Sequence, residues 1–219
     1  MSPILRTIFN EVIYLKRKTI LASSFLCLML VGSKVHAQPI SYTVVPGDSM
    51  WKIAVKYEIG ISEIISANPQ ISNPDLIYPG QKITVPNIQD VKTAENRVIT
   101  LVNAERAKAG LSPLKANWQL SRIARYKSQD MIDKGYFSHT SPTYGSPFTM
   151  IQSFGLNFSA AGENIAMGQQ TPEQVMAAWM NSPGHRSNIL SPAYSEIGVG
   201  LAKSPSGVCY WTQMFIKPY

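Results

Sequence analysis

The chain has 219 residues, 45% hydrophobic and 15% charged, with a formal net charge of +7. At roughly 100–200 residues per domain, this length allows one large domain or two small ones, and the apolar content excludes wholesale disorder. No basic stripe with interleaved aromatics is present, which argues against nucleic acid as a partner.

The first 37 residues read as an export signal. Lys16-Arg17-Lys18 is a basic cluster, Thr19 to Val31 carries no charge, and Val35-His36-Ala37 has small residues where a signal peptidase site needs them. The uncharged run is shorter than the ~20 apolar residues of a bilayer span, so cleavage would leave no stable membrane span. Retention of the leader as an anchor is the alternative. Leu26 before Cys27 is not the small residue that lipidation requires. Arg6, Lys16, Arg17, Lys18 and Lys34 against Glu11 take +4 with the leader, leaving +3 on the rest. Only Cys209 remains after cleavage, so no internal disulfide forms and the mature chain must fold on its core.

Residues 41–86 carry strand, helix, helix, strand signals. Tyr42-Thr43-Val44-Val45 is a short β-branched run, and Pro46-Gly47-Asp48 is a turn with Asp48 or Ser49 placed to cap a helix. Met50, Ile53, Ala54 and Tyr57 recur on one helical face, and Gly60 is placed as a helix stop. Ser62 can cap a second helix that must end before Pro69, and Lys82-Ile83-Thr84-Val85 closes the block as a strand.

Val45-Pro46-Gly47-Asp48-Ser49-Met50-Trp51-Lys52-Ile53-Ala54, Asn68-Pro69 and Tyr78-Pro79-Gly80-Gln81-Lys82-Ile83 together resemble a LysM module. The resemblance implies a βααβ fold that binds β-1,4-linked N-acetylglucosamine polymers, that is peptidoglycan or a chitin-like glycan. It implies a shallow groove with Gly47, Asp48, Ser49 and Met50 on one side and Asp75, Leu76, Ile77 and Tyr78 on the other. Loop backbone groups can bond an acetamido group while apolar side chains cover its methyl. Gly47, Asp48 and Pro79-Gly80 also serve turns in any case.

Residues 87–94 are polar and read as a linker to a second block, 95–219. A helix is expected over Glu95–Lys108, with Val98, Leu101, Val102 and Glu105 on one face. Asn117 can cap a helix whose stripe is Leu120, Ile123, Ala124, Lys127 and Met131. Pro147 to Phe154 is a short helix, and Thr171-Pro172-Glu173-Gln174 is a capping box. Ile197–Ala202 and Val208–Ile216 read as strands joined by Ser204-Pro205-Ser206-Gly207. Helices in front and strands at the end predict a layered α+β or αβα domain.

Beyond the leader there are two histidines, His139 and His185, each in turn-like sequence, with Glu163 in a glycine loop between them. Two imidazoles and a carboxylate are a workable set for zinc or another divalent metal, or for acid–base chemistry near neutral pH. The spacing alone is no metal motif. Phe137-Ser138-His139, Gly162-Glu163-Asn164-Ile165-Ala166, Trp179 to Leu190, Glu196-Ile197-Gly198-Val199-Gly200 and Tyr210-Trp211-Thr212-Gln213 together resemble a bacterial CAP (SCP-like) domain. This is the superfamily of cysteine-rich secretory proteins, antigen 5 and pathogenesis-related 1. The resemblance implies an αβα sandwich with a cleft of two His and two Glu. His139, Glu163 and His185 match three of these; the second Glu has no clear counterpart, with Asn181 and Ser182 after Trp179 and Glu196 only nearby in sequence.

Three functions follow from these features. The first is a secreted wall-associated binding protein, held by LysM on the cell wall or spore surface, in wall or spore-coat assembly. The second is a peptidoglycan-remodelling hydrolase using the His139/Glu163/His185 cleft. The third is lipid or sterol binding by the CAP domain. Catalysis has no complete residue set: Glu163 lacks a second carboxylate for glycoside cleavage. Cys209 alternates in phase with Trp211 and Phe215 and reads as a buried thiol.

Overall fold

The computed structural model describes residues 38–219, and the export-signal reading lies outside them. Within the LysM module, strand β1 (Ile40–Thr43) pairs antiparallel with β2 (Lys82–Val85), Ile40 opposite Val85 and Thr43 opposite Lys82. Helices α1 (Met50–Tyr57) and α2 (Ile61–Ser66) pack on this ribbon around Val44, Ile53, Ile59, Ile64 and Ile83. The first strand begins and ends earlier than its β-branched run suggests. The chain turns at Val45, whose N–H donates to Asp48 Oδ2 at 2.9 Å, and Pro46 offers no N–H to extend the ladder.

Two helix boundaries differ from expectation. Helix α1 stops at Tyr57 through Glu58, which takes the left-handed conformation at φ 53°; Gly60 instead precedes α2 at its N-cap. Ser62 lies inside α2 and caps nothing. Asn68 holds the module together. Its amide donates to Ile64 O (2.6 Å) and Thr84 O (2.7 Å), and its Oδ1 accepts from Thr84 N (2.8 Å).

Helix α3 runs Gln89–Lys108, so most of the expected linker is helical. Asn87 Oδ1 accepts from Gln89 N at 3.1 Å and starts the helix early. The polarity of 89–94 marks the exposed side of a helix rather than a loop. In the following domain a sheet of order β3-β5-β6-β4 is built from β3 (Lys115–Ala116), β4 (Ala160–Met167), β5 (Glu196–Lys203) and β6 (Cys209–Lys217). Helices α4 (Trp118–Asp133) and α5 (Pro147–Ser153) cover one face, where Leu120, Ile123, Met150 and Ile151 meet Met214 and Ile216. On the other face, α3 and α6 (Pro172–Asn181) bury Val98, Val102, Val175 and Trp179 against Ile197, Val199, Trp211 and Phe215. The period-2 alternation of β6 supplies both cores. The domain is therefore an αβα sandwich.

Gly198 and Gly200 set how close the layers come. A Cβ on either would overlap the backbone of α4 at Leu120–Ser121 and Ala124–Arg125. The expected caps form: Asn117 accepts from Leu120 N and Thr171 from Gln174 N. Cys209 is buried, as its phase predicts. Strand β4 was not expected. The Gly162-Glu163-Asn164 stretch pairs along β6, Glu163 opposite Met214, instead of forming a loop. His185 likewise sits in a short helix, α7 (Pro183–Ile189), rather than in a turn.

Candidate functional site

Two sites emerge, one in each domain. In the LysM module the loops after β1 and before β2 are drawn together by Val44 N donating to Gln81 O and Gly80 N to Val44 O, both at 2.9 Å. Gly47, at φ 88°, makes the exposed turn. Asp48 and Ser49 serve the loop itself. The Asp48 carboxylate accepts from Val45 N and from Tyr42 Oη (2.7 Å), which hold its pKa below the usual range, and Ser49 caps α1. Met50 is 2% exposed, and its side chain belongs to the core. Opposite, Asp75 and Leu76 turn on Asn73, Ile77 packs half-buried against the core, and Leu76 and Tyr78 stand 52% and 60% exposed. Leu76 and Tyr78 also line an open depression of about 350 Å³ with Gln70 and Gln81. Trp51 is a further exposed aromatic; it falls off the α1 stripe, and that signal was available in the sequence.

The second site lies at β4, an edge strand. Glu163 is buried, and its Oε1 is 2.7 Å from Nδ1 of His139, which stands on the loop after α4 with its side chain half exposed. Beneath the pair, the buried Lys127 donates from Nζ to His139 O (2.7 Å) and to Tyr136 Oη (3.2 Å). Glu163 Oε2 is buried and has no hydrogen-bond partner. The bond to Glu163 raises the pKa of His139, while burial raises that of Glu163 against the opposing pull of His139 and Lys127. Burial, and then the charge of His139, lower the pKa of His185.

Helix α7 is pinned to β4 by amides. Asn164 Nδ2 donates to His185 O (3.1 Å) and Gln213 Oε1 (2.9 Å), and Asn188 Nδ2 donates to Glu163 O (3.2 Å) and Asn164 Oδ1 (2.9 Å). Asn188, Gln213 and Lys127 were visible in the sequence as members of motifs or of a stripe, without these roles. Gly162 gives room to the Tyr194 hydroxyl. Glu196 is engaged by Asn117 Nδ2 at the start of α4 (2.7 Å). A metal centre needs converging donors. Among the described residues no group of three or more His, Cys, Asp and Glu is arranged to hold an ion. What they offer is a carboxylate–imidazole pair with the second imidazole within electrostatic reach.

An αβα sandwich whose edge strand carries a buried Glu bonded to a His of a neighbouring loop is the arrangement expected of a CAP-type domain, and comparison with known proteins agrees. The family model described as "Cysteine-rich secretory protein family" (CAP) matches residues 99–215, more than half of the chain, and the LysM domain model matches 42–86. The chain belongs to the cysteine-rich secretory protein family and carries a LysM domain ahead of the CAP domain. It is 59% identical over 126 residues to "Uncharacterized protein YkwD" of Bacillus subtilis, covering 58% of this chain and 48% of YkwD. It is 34% identical over 149 residues to "Uncharacterized membrane protein YlbC" of the same organism, covering 65% and 42%. The crystal structure of an extracellular protein containing an SCP domain from Bacillus anthracis superposes with a TM-score of 0.54 at 34% identity, covering 64% of this chain and 47% of that one. The chain thus spans less than half the length of each of the three. A LysM domain is a module that binds peptidoglycan- or chitin-like glycan. Among the described residues no helix is long and apolar enough to cross a membrane.

Proposed function

We propose that this protein is a peptidoglycan-bound scaffold: its LysM loops grip N-acetylglucosamine units, and its CAP domain presents the His139–Glu163 cleft to a ligand at the wall. The observation that carries this is the joining of the two LysM loops, with Leu76 and Tyr78 exposed at the surface while Asp48, Ser49 and Met50 serve the fold. Backbone groups flanked by exposed apolar side chains suit an acetamido sugar. A scaffold of this kind fits the assembly of wall or spore-coat layers.

A second reading, amide or glycan hydrolysis, is favoured by one observation, the 2.7 Å contact of His139 Nδ1 with Glu163. A carboxylate that holds Nδ1 leaves Nε2 of a half-exposed imidazole free to exchange a proton with substrate or water. One experiment tests both. The protein is incubated with intact peptidoglycan and sedimented, and the supernatant is searched for released fragments by mass spectrometry. Protein in the pellet without fragments is the expected result. Fragments above a His139→Ala control would establish the hydrolase instead, and protein left in the supernatant would refute wall binding through LysM.

A further inference from the structure

We propose that the LysM module is docked onto the CAP domain through a dedicated surface, Glu58, Gly60 and Glu63 on the module against Lys92 and Tyr126 on the domain, so that the two move as one body. Three independent features converge on it.

The first is Glu58. It is the one non-glycine residue with positive φ among the described residues, in a left-handed helix-terminal position that glycine or asparagine occupies with less strain. A glutamate there gains a partner that glycine could not, since its carboxylate pairs with the Lys92 ammonium on α3.

The second is Gly60. Its backbone, at φ −77° and ψ 155°, is ordinary extended chain that any residue adopts, so conformation gives no reason for glycine. Space does: a Cβ at this position would overlap both the hydroxyl oxygen of Tyr126, which reaches over from α4, and the Glu63 carboxylate bonded to it. That hydroxyl donates to Glu63 Oε2 and lies 2.9 Å from Ser62 Oγ. A small residue on one domain thus accommodates a large one on the other.

The third is the crossing itself. Ile88 packs against the LysM core and is also the N-cap of α3, and its carbonyl accepts the Lys92 N–H at 2.9 Å. Asn87 Nδ2 donates back to Gln38 O at 3.1 Å. The module therefore passes directly into a 20-residue helix of the next domain. One consequence rests on the glycan-binding reading above: a LysM module seated on a glycan strand would fix the angle at which the His139–Glu163 cleft meets the wall. The docking itself does not depend on that reading, and its test uses no glycan.

Backbone ¹⁵N relaxation on the full chain should give one rotational correlation time for amides of 41–86 and of 99–215. A distinctly shorter time for 41–86 would overturn the proposal. A mutant cycle then asks whether the surface is the cause. Gly60→Ala should lower the Tm by about 2–4 °C or more in the unaltered chain. In the Tyr126→Phe background, which lacks one colliding oxygen and frees the flexible Glu63 carboxylate to swing away from the other contact, the same change should cost clearly less or be neutral, because alanine also restricts the unfolded chain. Equal Tm losses in both backgrounds would overturn the proposed role of Tyr126 and Gly60.

Discussion

The two domains differ in what they bury. In the LysM module the one buried polar side chain among the described residues is Asn68, which is neutral; the CAP domain buries Glu95, Arg106, Lys127, Asp130 and Glu163. A module of about 45 residues is too shallow to offset the desolvation of an ion, whereas a three-layer sandwich can surround one with partners. On the proposed reading, recognition by the first would then fall to backbone groups and exposed apolar side chains, while the second holds titratable groups in place.

The comparison can be broken most severely at Lys127. Lys127→Met removes the buried ammonium, leaves His139 O without its donor, leaves Asp130 without its nearby cation and leaves Glu163 with His139 alone. We expect a loss of about 3–5 kcal/mol in denaturant unfolding. A cost below about 1 kcal/mol would show that the buried charges are not mutually dependent. Next in size is Met50→Ala, which truncates a core side chain at a position that the sequence assigned to the glycan groove. Its expected cost is roughly 2–5 kcal/mol of stability, with any loss of peptidoglycan retention following the fraction unfolded. Weakened retention by a fully folded variant would return Met50 to the groove.

The His139–Glu163 pair gives a pH test. Folding raises the pKa of both members, so the native state binds their protons more tightly than the unfolded chain does. The stability contributed by His139 is complete below ~6.5, the ordinary imidazole value, and is lost as pH rises through its raised native value. That of Glu163 declines earlier, as pH rises from its ordinary value of ~4.3 to its raised one. Glu163→Gln should return the His139 titration, followed by ring NMR shifts, toward the ordinary value, and should flatten the fall in stability with pH. A His139 titration unmoved by this variant would mean that the 2.7 Å contact carries no charge coupling. The smallest effect on stability is expected at the groove. Leu76→Ala and Tyr78→Ala should stay within about 0.5 kcal/mol of the parent while weakening sedimentation with peptidoglycan several-fold. Full retention by the double variant would place the sugar elsewhere on the module.

Much of this was legible in the residues. The α4 stripe is buried as its 3.6-residue period requires, Asn117 and Thr171 cap where short polar side chains precede apolar runs, and the β5–β6 hairpin turns at the expected Ser204–Gly207 stretch. Each is a local effect, written within a few residues. The elements misread have non-local causes. Ala160–Met167 has no β-branched alternation and becomes a strand because β6 offers it a ladder along its whole length. Gln89–Ala94 looks like a loop because its apolar partners are scattered, and it is helical because Asn87 and Ile88 start the helix against the module.

The site divides in the same way. The residue types are written in the chain: the glycine turns of the LysM loops, the two histidines beyond the leader, and the glutamate between them. Which of these meet is a matter of packing. It set His139 on Glu163 over a buried lysine, joined His185 to β4 through its backbone carbonyl, took Met50 into a core, and gave Gly60 to a tyrosine more than sixty residues away. Turns and caps close within one or two residues of their cause. A buried carboxylate, its imidazole and the cation beneath them come from separate elements, and only the packing of sheet and helices brings those together.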